Sequence, residues 1–246
     1  MALGRHRWQA VGSLVASVVL FTACGSPETT DTAEEGQDDI SGHATTLSPA
    51  GASAGCSEPP VVPSARTMSP LEAPEQQASG TWSGSIETNC GTIEVDLFGD
   101  KAPETVASFG HLAEAGYWVD SPCHRLTTQG IFVLQCGDPT GTGRGAPGYT
   151  FGIENAPEDG TYPPGTLAMA RSQDPNSNGG QFFIVYEDTE LPAAGGGYSI
   201  FGKVTSGMDI VDRVAEQGVD GGGADGTPAA PISILSVEVT QEKATE

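Results

Sequence analysis

Apolar and polar positions alternate from Thr92 to Phe98, which places Ile93, Val95 and Leu97 on one face of a predicted strand. A second alternating run at Ser85–Thr88, with Asn89-Cys90-Gly91 between the two, predicts a β-hairpin. From Pro103 to Tyr117 the period changes: Val106, Phe109, Leu112, Ala113 and Gly116 recur at helical spacing behind a Pro-Glu-Thr start, so we expect a helix lying on the sheet. Further strands are predicted at Thr166–Ala170, Gln181–Tyr186, Ser199–Val204 and Ile232–Thr240, with a second helix around Met208, Val211, Val214 and Ala215. Short strands punctuated by Gly and Pro, with two separated helices, argue against a doubly wound sheet. They point to a mainly β fold, a closed and largely antiparallel barrel whose ends the helices cap.

Upstream of Ser79 neither period is present. Residues 1–23 read as a secretory signal, with Arg5 and Arg7, an apolar run from Ala10 to Phe21 and small residues before Cys24. That run is shorter than the roughly 20 residues a spanning helix needs. The sequence Leu20-Phe21-Thr22-Ala23-Cys24-Gly25 resembles the lipobox of bacterial lipoproteins, which implies lipidation at Cys24 and a lipid anchor on the outer face of the cell membrane. Ordinary cleavage into a secreted protein is the alternative. Residues 24–79, rich in Ser, Thr, Ala, Pro, Gly and acids, read as a disordered tether that is self-repelling over Glu28–Asp39 and stiffened over Pro49–Pro74. Cys56 alone does not suit a plain tether. The expected organisation is therefore a signal peptide at 1–23, a tether at 24–79 and one folded domain at 80–246.

The 10 Lys and Arg against 32 Asp and Glu leave a net charge of -22, which disfavours phosphate backbones and anionic lipid surfaces, so no nucleic-acid partner is expected. The four histidines are scattered and no Cys-x-x-Cys pair occurs, which argues against a metal site or cofactor.

The candidate chemistry lies in Cys123–Asp138, where polar residues interrupt an apolar run. If 123–126 and 131–135 are strands joined by the turn Thr127–Gly130, Arg125 and Gln135 share one face. A zinc cluster of Cys123, His124 and Cys136 lacks a fourth ligand. A Cys123–His124 thiol couple fails because neighbours in a strand point to opposite faces, which leaves His124 as a buried, satisfied histidine. By the same parity Cys123 and Cys136 point apart, and the preferred bridge is Cys56–Cys90, one of three connectivities open to the four cysteines after Cys24. Gly141-Thr-Gly143-Arg-Gly145-Ala146 fits a dinucleotide pattern formally, but Pro147-Gly148 forbids the helix that must follow, so the segment reads as a flexible loop. No Gly-x-Ser-x-Gly elbow is present.

His124-Arg125, Phe132 and Gln135 are followed by Gly165–Ser172, Asn176-Ser-Asn-Gly-Gly-Gln181-Phe182-Phe183-Ile184 and Phe201-Gly-Lys-Val204. In this order, from about Ser79 to the C-terminus, the set resembles the cyclophilin family of peptidyl-prolyl cis-trans isomerases, actinobacterial exported members in particular. The resemblance implies a closed eight-stranded antiparallel barrel capped by two helices, and an enzyme that rotates Xaa-Pro bonds without a cofactor. It implies Arg125, Gln135 and Phe132 as catalytic residues. Val133, Met169, Ala170, Arg171, Gln181, Phe183, Leu191 and Tyr198 would bind proline-containing polypeptides. This chain has Val133, Arg171, Glu190 and Tyr198 where members commonly carry Met, Asn, Trp and His, and its hairpin turn is about two residues longer. We expect a monomer acting outside the cytoplasm. The competing readings are a non-catalytic scaffold or holdase using the same groove, and a redox or metal lipoprotein using the cysteines.

Overall fold

The structure, a computed structural model, describes residues 48–62, 66 and 68–242. The expected signal peptide and the lipidation site Cys24 lie outside these residues. In chain order the elements are α1 (Pro49–Ser53), β1 (Thr81–Thr88), β2 (Gly91–Phe98), α2 (Pro103–Glu114), β3 (Ser121–Pro122), β4 (Arg125–Gln129), β5 (Ile131–Cys136), β6 (Thr161–Tyr162), β7 (Thr166–Met169), β8 (Phe182–Val185), β9 (Thr189–Glu190), β10 (Ile200–Ser206), α3 (Met208–Glu216), β11 (Asp225–Gly226) and β12 (Ser233–Gln241).

Ten of these strands form one antiparallel sheet in the order β11-β4-β5-β8-β7-β10-β2-β1-β12-β3, while β6 and β9 make a separate pair. The expected eight-stranded, closed ladder is corrected here: hydrogen bonding runs through ten strands and ends at β11 and β3. Only Cys123 and His124 separate β3 from β4, although the two strands sit near opposite ends of the order, so one short chain segment joins both flanks of the curled sheet.

Inside the curl, Ile93, Val95 and Leu97 of β2 are buried, as their alternation predicted, and the α2 face carrying Val106, Phe109 and Leu112 packs on them. Phe109 gathers an aromatic cluster, with ring centroids 4.6 Å from Trp118, 5.2 Å from Phe201 and 5.6 Å from Phe182. The helix stops at Glu114 rather than Tyr117. Gly116, read above as part of the apolar stripe, takes a left-handed φ of 62°, and the amides of Gly116 and Tyr117 turn back onto the carbonyls of Ala113 and Leu112. That is the pattern by which a left-handed glycine closes a helix end. At the other end no side chain of the helix's own caps it. Instead the Glu154 carboxylate accepts from the Glu104 and Thr105 amides at 3.0 and 2.8 Å and from Thr105 Oγ1 at 2.7 Å. Glu154→Ala is expected to cost about 1–2 kcal/mol, the loss of an N-terminal cap, read as a lowered urea midpoint at unchanged slope.

β7 and β8 are buried on both faces. Met169, Phe182 and Ile184 join the interior, whereas Val133, Ala168, Phe183 and Val185 form a second apolar cluster with Tyr162 on the opposite face. This second cluster forms the floor beneath the candidate site.

The expectation that 24–79 is a disordered tether needs correction over its described part. Ser48 Oγ caps the short helix α1, Ala54 and Cys56 are buried in the domain core, and Cys56 is bonded to Cys90. The Ser57 amide donates to the Asn89 carbonyl at 2.7 Å and the Asn89 side chain donates back to the Ser57 carbonyl at 2.8 Å. Farther along, the Leu71 amide donates to Pro147. The segment has no period of its own because its order comes from these long-range contacts and the disulfide.

Candidate active site

Arg125 opens β4 and pairs in register with Gln135 of β5, so the two side chains do share a face. The turn is shorter than expected: β4 continues to Gln129, and Gly130, at a φ of 77° that favours glycine, makes the reversal. Nη1 of Arg125 donates to Gln135 Oε1 at 3.2 Å, Gln135 Nε2 donates to Gln181 Oε1 at 3.0 Å, and Gln181 Nε2 donates to the carbonyls of Gly143 and Gly145 at 3.1 and 3.0 Å. The loop that ends this relay is wound around the buried carboxylate of Asp138. It accepts from the Thr140 and Arg144 amides and from the hydroxyls of Thr140 and Thr142. Gly145 has to be glycine, since a Cβ there would collide with Asp138 Oδ1. Burial raises the pKa of Asp138, but its hydrogen bonds and the charge of nearby His124 outweigh that and leave the carboxyl below its ordinary value.

A cavity of about 480 Å³ opens beside Arg125, lined by Ile131, Val133, Phe183, Leu191 and Tyr198 on its apolar side and by Arg125, Gln135, His124, Thr142 and Asp225 on its polar side. A second hollow of about 400 Å³ continues from it past Ala170, Arg171 and Gln181. Together they make one groove with a cation beside an apolar floor. Arg125, Gln135, Val133, Ala170, Arg171, Gln181, Phe183, Leu191 and Tyr198 thus meet where the sequence reading grouped them.

Two expected site residues do not line it. Phe132 is turned away, its ring edge-on to Tyr186 at 5.9 Å, and Ile131 stands in the cavity instead. Strand alternation is the reason: Gln135 and Val133 face the groove, so the next residue on that face is Ile131. Met169 is likewise buried in the interior, while its neighbours Ala168 and Ala170 face the groove side. The Arg171 side chain braces the rim of the groove. Nε and Nη2 donate to the carbonyls of Gly197 and Gly195 at 2.7 and 3.1 Å, and its guanidinium lies 4.8 Å over the Tyr198 ring, pinning the glycine-rich rim.

Asp225 was missed. It accepts Nε and Nη2 of Arg125 at 2.8 and 2.7 Å, one on each carboxylate oxygen. Hydrogen bonds donated to Asp225 hold the Arg125 guanidinium above its already high pKa against the effect of burial, and the same bonds hold Asp225 below the ordinary carboxylate range. The pair therefore stays ionised through neutral pH and is lost only as pH falls through the lowered Asp225 value.

The predicted separation of Cys123 from Cys136 fails: the two are bonded to each other. Parity was applied across Cys123 and His124, which belong to neither β3 nor β4, so Cys123 is free to turn toward Cys136. His124, expected to be satisfied, is half-buried with neither ring nitrogen partnered. Gln181 and the Pro122 carbonyl approach it without completing a bond of full geometry. Burial lowers the His124 pKa more than Asp138 raises it. The unfolded chain then takes the proton more readily than the fold, so stability should fall as pH drops below the ordinary histidine value of 6.5. His124→Gln is expected to flatten that slope in denaturation series between about pH 5 and 7.

Comparison with known proteins agrees with this geometry. The family described as cyclophilin type peptidyl-prolyl cis-trans isomerase/CLD matches residues 84–239. A probable peptidyl-prolyl cis-trans isomerase B of Mycobacterium tuberculosis is 45% identical over 166 residues, 62% of this chain and 53% of that protein, so the chain spans about half that relative's length. A probable peptidyl-prolyl cis-trans isomerase A of Mycobacterium leprae is 37% identical over 63% of this chain and 91% of its own. Among solved structures, a Cryptosporidium parvum cyclophilin type isomerase superposes with a TM-score of 0.56 at 31% identity, covering 67% of this chain and 100% of that one. The same protein has been solved in the presence of the dipeptide Ala-Pro, with a TM-score of 0.55 at 33% identity over 65% of this chain and 99% of that one. A mainly β, curled sheet with an arginine held over an apolar groove, matched by this family over 84–239, makes the chain a member of the cyclophilin type peptidyl-prolyl cis-trans isomerase family.

Proposed function

We propose that this chain accelerates rotation about Xaa-Pro bonds in exported polypeptides, as a lipoprotein anchored through Cys24 on the outer face of the cell membrane. The observation that carries the catalytic reading is Arg125, fixed by Gln135 and Asp225 at the edge of a cavity floored by Val133, Phe183 and Leu191. The amide resists rotation by roughly 20 kcal/mol because its nitrogen lone pair is delocalised into the carbonyl. In the twisted state that pair localises on nitrogen, where a guanidinium N–H stabilises it. The apolar floor grips the proline ring, and Gln135 orients Arg125. Residues N-terminal to proline would lie along Ala170, Arg171 and Gln181 in the continuing hollow.

Refolding of a disulfide-free test protein whose slow phase is a proline isomerisation supplies the test: the slow phase should quicken in proportion to added protein. No acceleration at equimolar amounts would remove the enzymatic reading.

One observation favours a second reading. Arg125 already carries a carboxylate partner, which reduces its net field, so the groove would hold proline segments without turning them over. Binding of an Xaa-Pro peptide with no enhanced exchange between its isomers would select that scaffold role.

A further inference from the structure

We propose that Asp225 is the positioning residue of this site, the group that fixes Arg125 in its working orientation before a proline peptide arrives; this rests on the isomerase reading above. Asp225 lies 100 residues beyond Arg125, and both carboxylate oxygens take parallel bonds from Nε and Nη2. Such fork-to-fork pairing fixes direction as well as distance. With Nη1 held by Gln135, the guanidinium is gripped from two sides, and two of its five N–H groups remain for substrate.

The segment that delivers the carboxylate is not a free loop. Asp225 and Gly226 pair with Thr127 and Leu126, and the Thr128 amide donates to the Ala224 carbonyl at 2.9 Å, so 224–226 is stitched to the strand that begins with Arg125 itself. Gly226 allows the close approach this needs, since a Cβ there would stand 2.8 Å from Val219 Cγ1. Both partners therefore ride on one ladder, and the rotamer freedom of a long cationic side chain is lost on folding instead of during the reaction. The pair is partly exposed, at 37% for the Arg125 side chain and 55% for Asp225, so its removal leaves no buried orphan charge and should leave the fold intact.

The test compares wild type with Asp225→Ala and Asp225→Asn. In protein labelled with nitrogen-15 at arginine, the Arg125 Nε–H resonance, assigned by its loss in Arg125→Ala, should be dispersed and slowly exchanging in wild type and collapse toward the free arginine position in Asp225→Ala. The same variant should lose about tenfold in kcat with KM changed less than about twofold, because orientation is spent on the reacting state. Asp225→Asn, which keeps one acceptor, should recover part of both. An unchanged Arg125 resonance in Asp225→Ala, or an alanine variant as fast as wild type or faster, overturns the inference. Absence of catalysis by wild type would instead reject the isomerase reading, and the resonance would still decide whether Asp225 fixes Arg125.

Discussion

Arg125→Ala is expected to lower kcat for Xaa-Pro isomerisation by about 10²–10³-fold, the loss that follows removal of one preorganised donor aimed at developing charge. The substitution removes a permanently charged fork of donors that Asp225 and Gln135 hold at the cavity's polar side. Much of the rest survives. Gln135 keeps its bond to Gln181, and Val133, Phe183 and Leu191 still form the floor, so a proline peptide should bind with nearly unchanged affinity. A fall in kcat at constant KM is the signature of an interaction made in the transition state only. Loss of KM with kcat intact would mean that Arg125 is a binding group. The freed Asp225 carboxylate is more than half exposed, so the melting midpoint should move little.

Severing Cys56–Cys90 should have the largest effect on stability. The bridge spans 34 residues, a closed loop for which chain entropy gives about 3–4 kcal/mol, slightly more than the roughly 3 kcal/mol expected for Cys123–Cys136 with its separation of 13. In the Cys56→Ala, Cys90→Ala double variant, urea unfolding should shift by that amount. The Ser57 amide, bonded to Asn89 in the intact protein, should lose hydrogen-exchange protection together with α1. The groove is built by other elements, so isomerase activity in native buffer should be retained. Unchanged protection at Ser57 would show that the strap is held by its hydrogen bonds and packing without the disulfide.

The parts of the fold whose inward face was legible are those with one wet face. Alternation identified β1 and β2, and helical spacing identified α2 and α3, because in each the burial on one side imposes a period. β7 and β8 show how that signal fades: Thr-Leu-Ala-Met and Phe-Phe-Ile-Val are buried on both faces, so the sequence did not reveal that Met169 and Phe183 belong to different clusters. For Phe132 the signal was present and was overridden. Pairing Arg125 with Gln135 on one face already implied Ile131 there, and the family resemblance pointed to Phe132 instead.

Asp225 had no local mark, since it sits among glycines far along the chain and only the pairing of β11 with β4 brings it to Arg125. The strap before Ser79 was unreadable for a related reason. Apart from the turns of α1, the contacts that hold it to the domain are with distant residues, and only the misplaced Cys56 hinted at them. Two-residue strands such as β3 and β11, which end the ten-stranded sheet, are too short to show any period, and the expected count of eight came from the family resemblance.

The claim that this groove turns over proline bonds by electrostatic stabilisation at Arg125 is tested most directly by exchange spectroscopy on a short Xaa-Pro peptide at substoichiometric protein. Wild type should produce cis–trans exchange cross-peaks whose rate rises linearly with protein concentration, and Arg125→Ala at the same concentration should restore nearly the uncatalysed spectrum. Cross-peaks undiminished in Arg125→Ala, or none in wild type despite bound peptide, would contradict it.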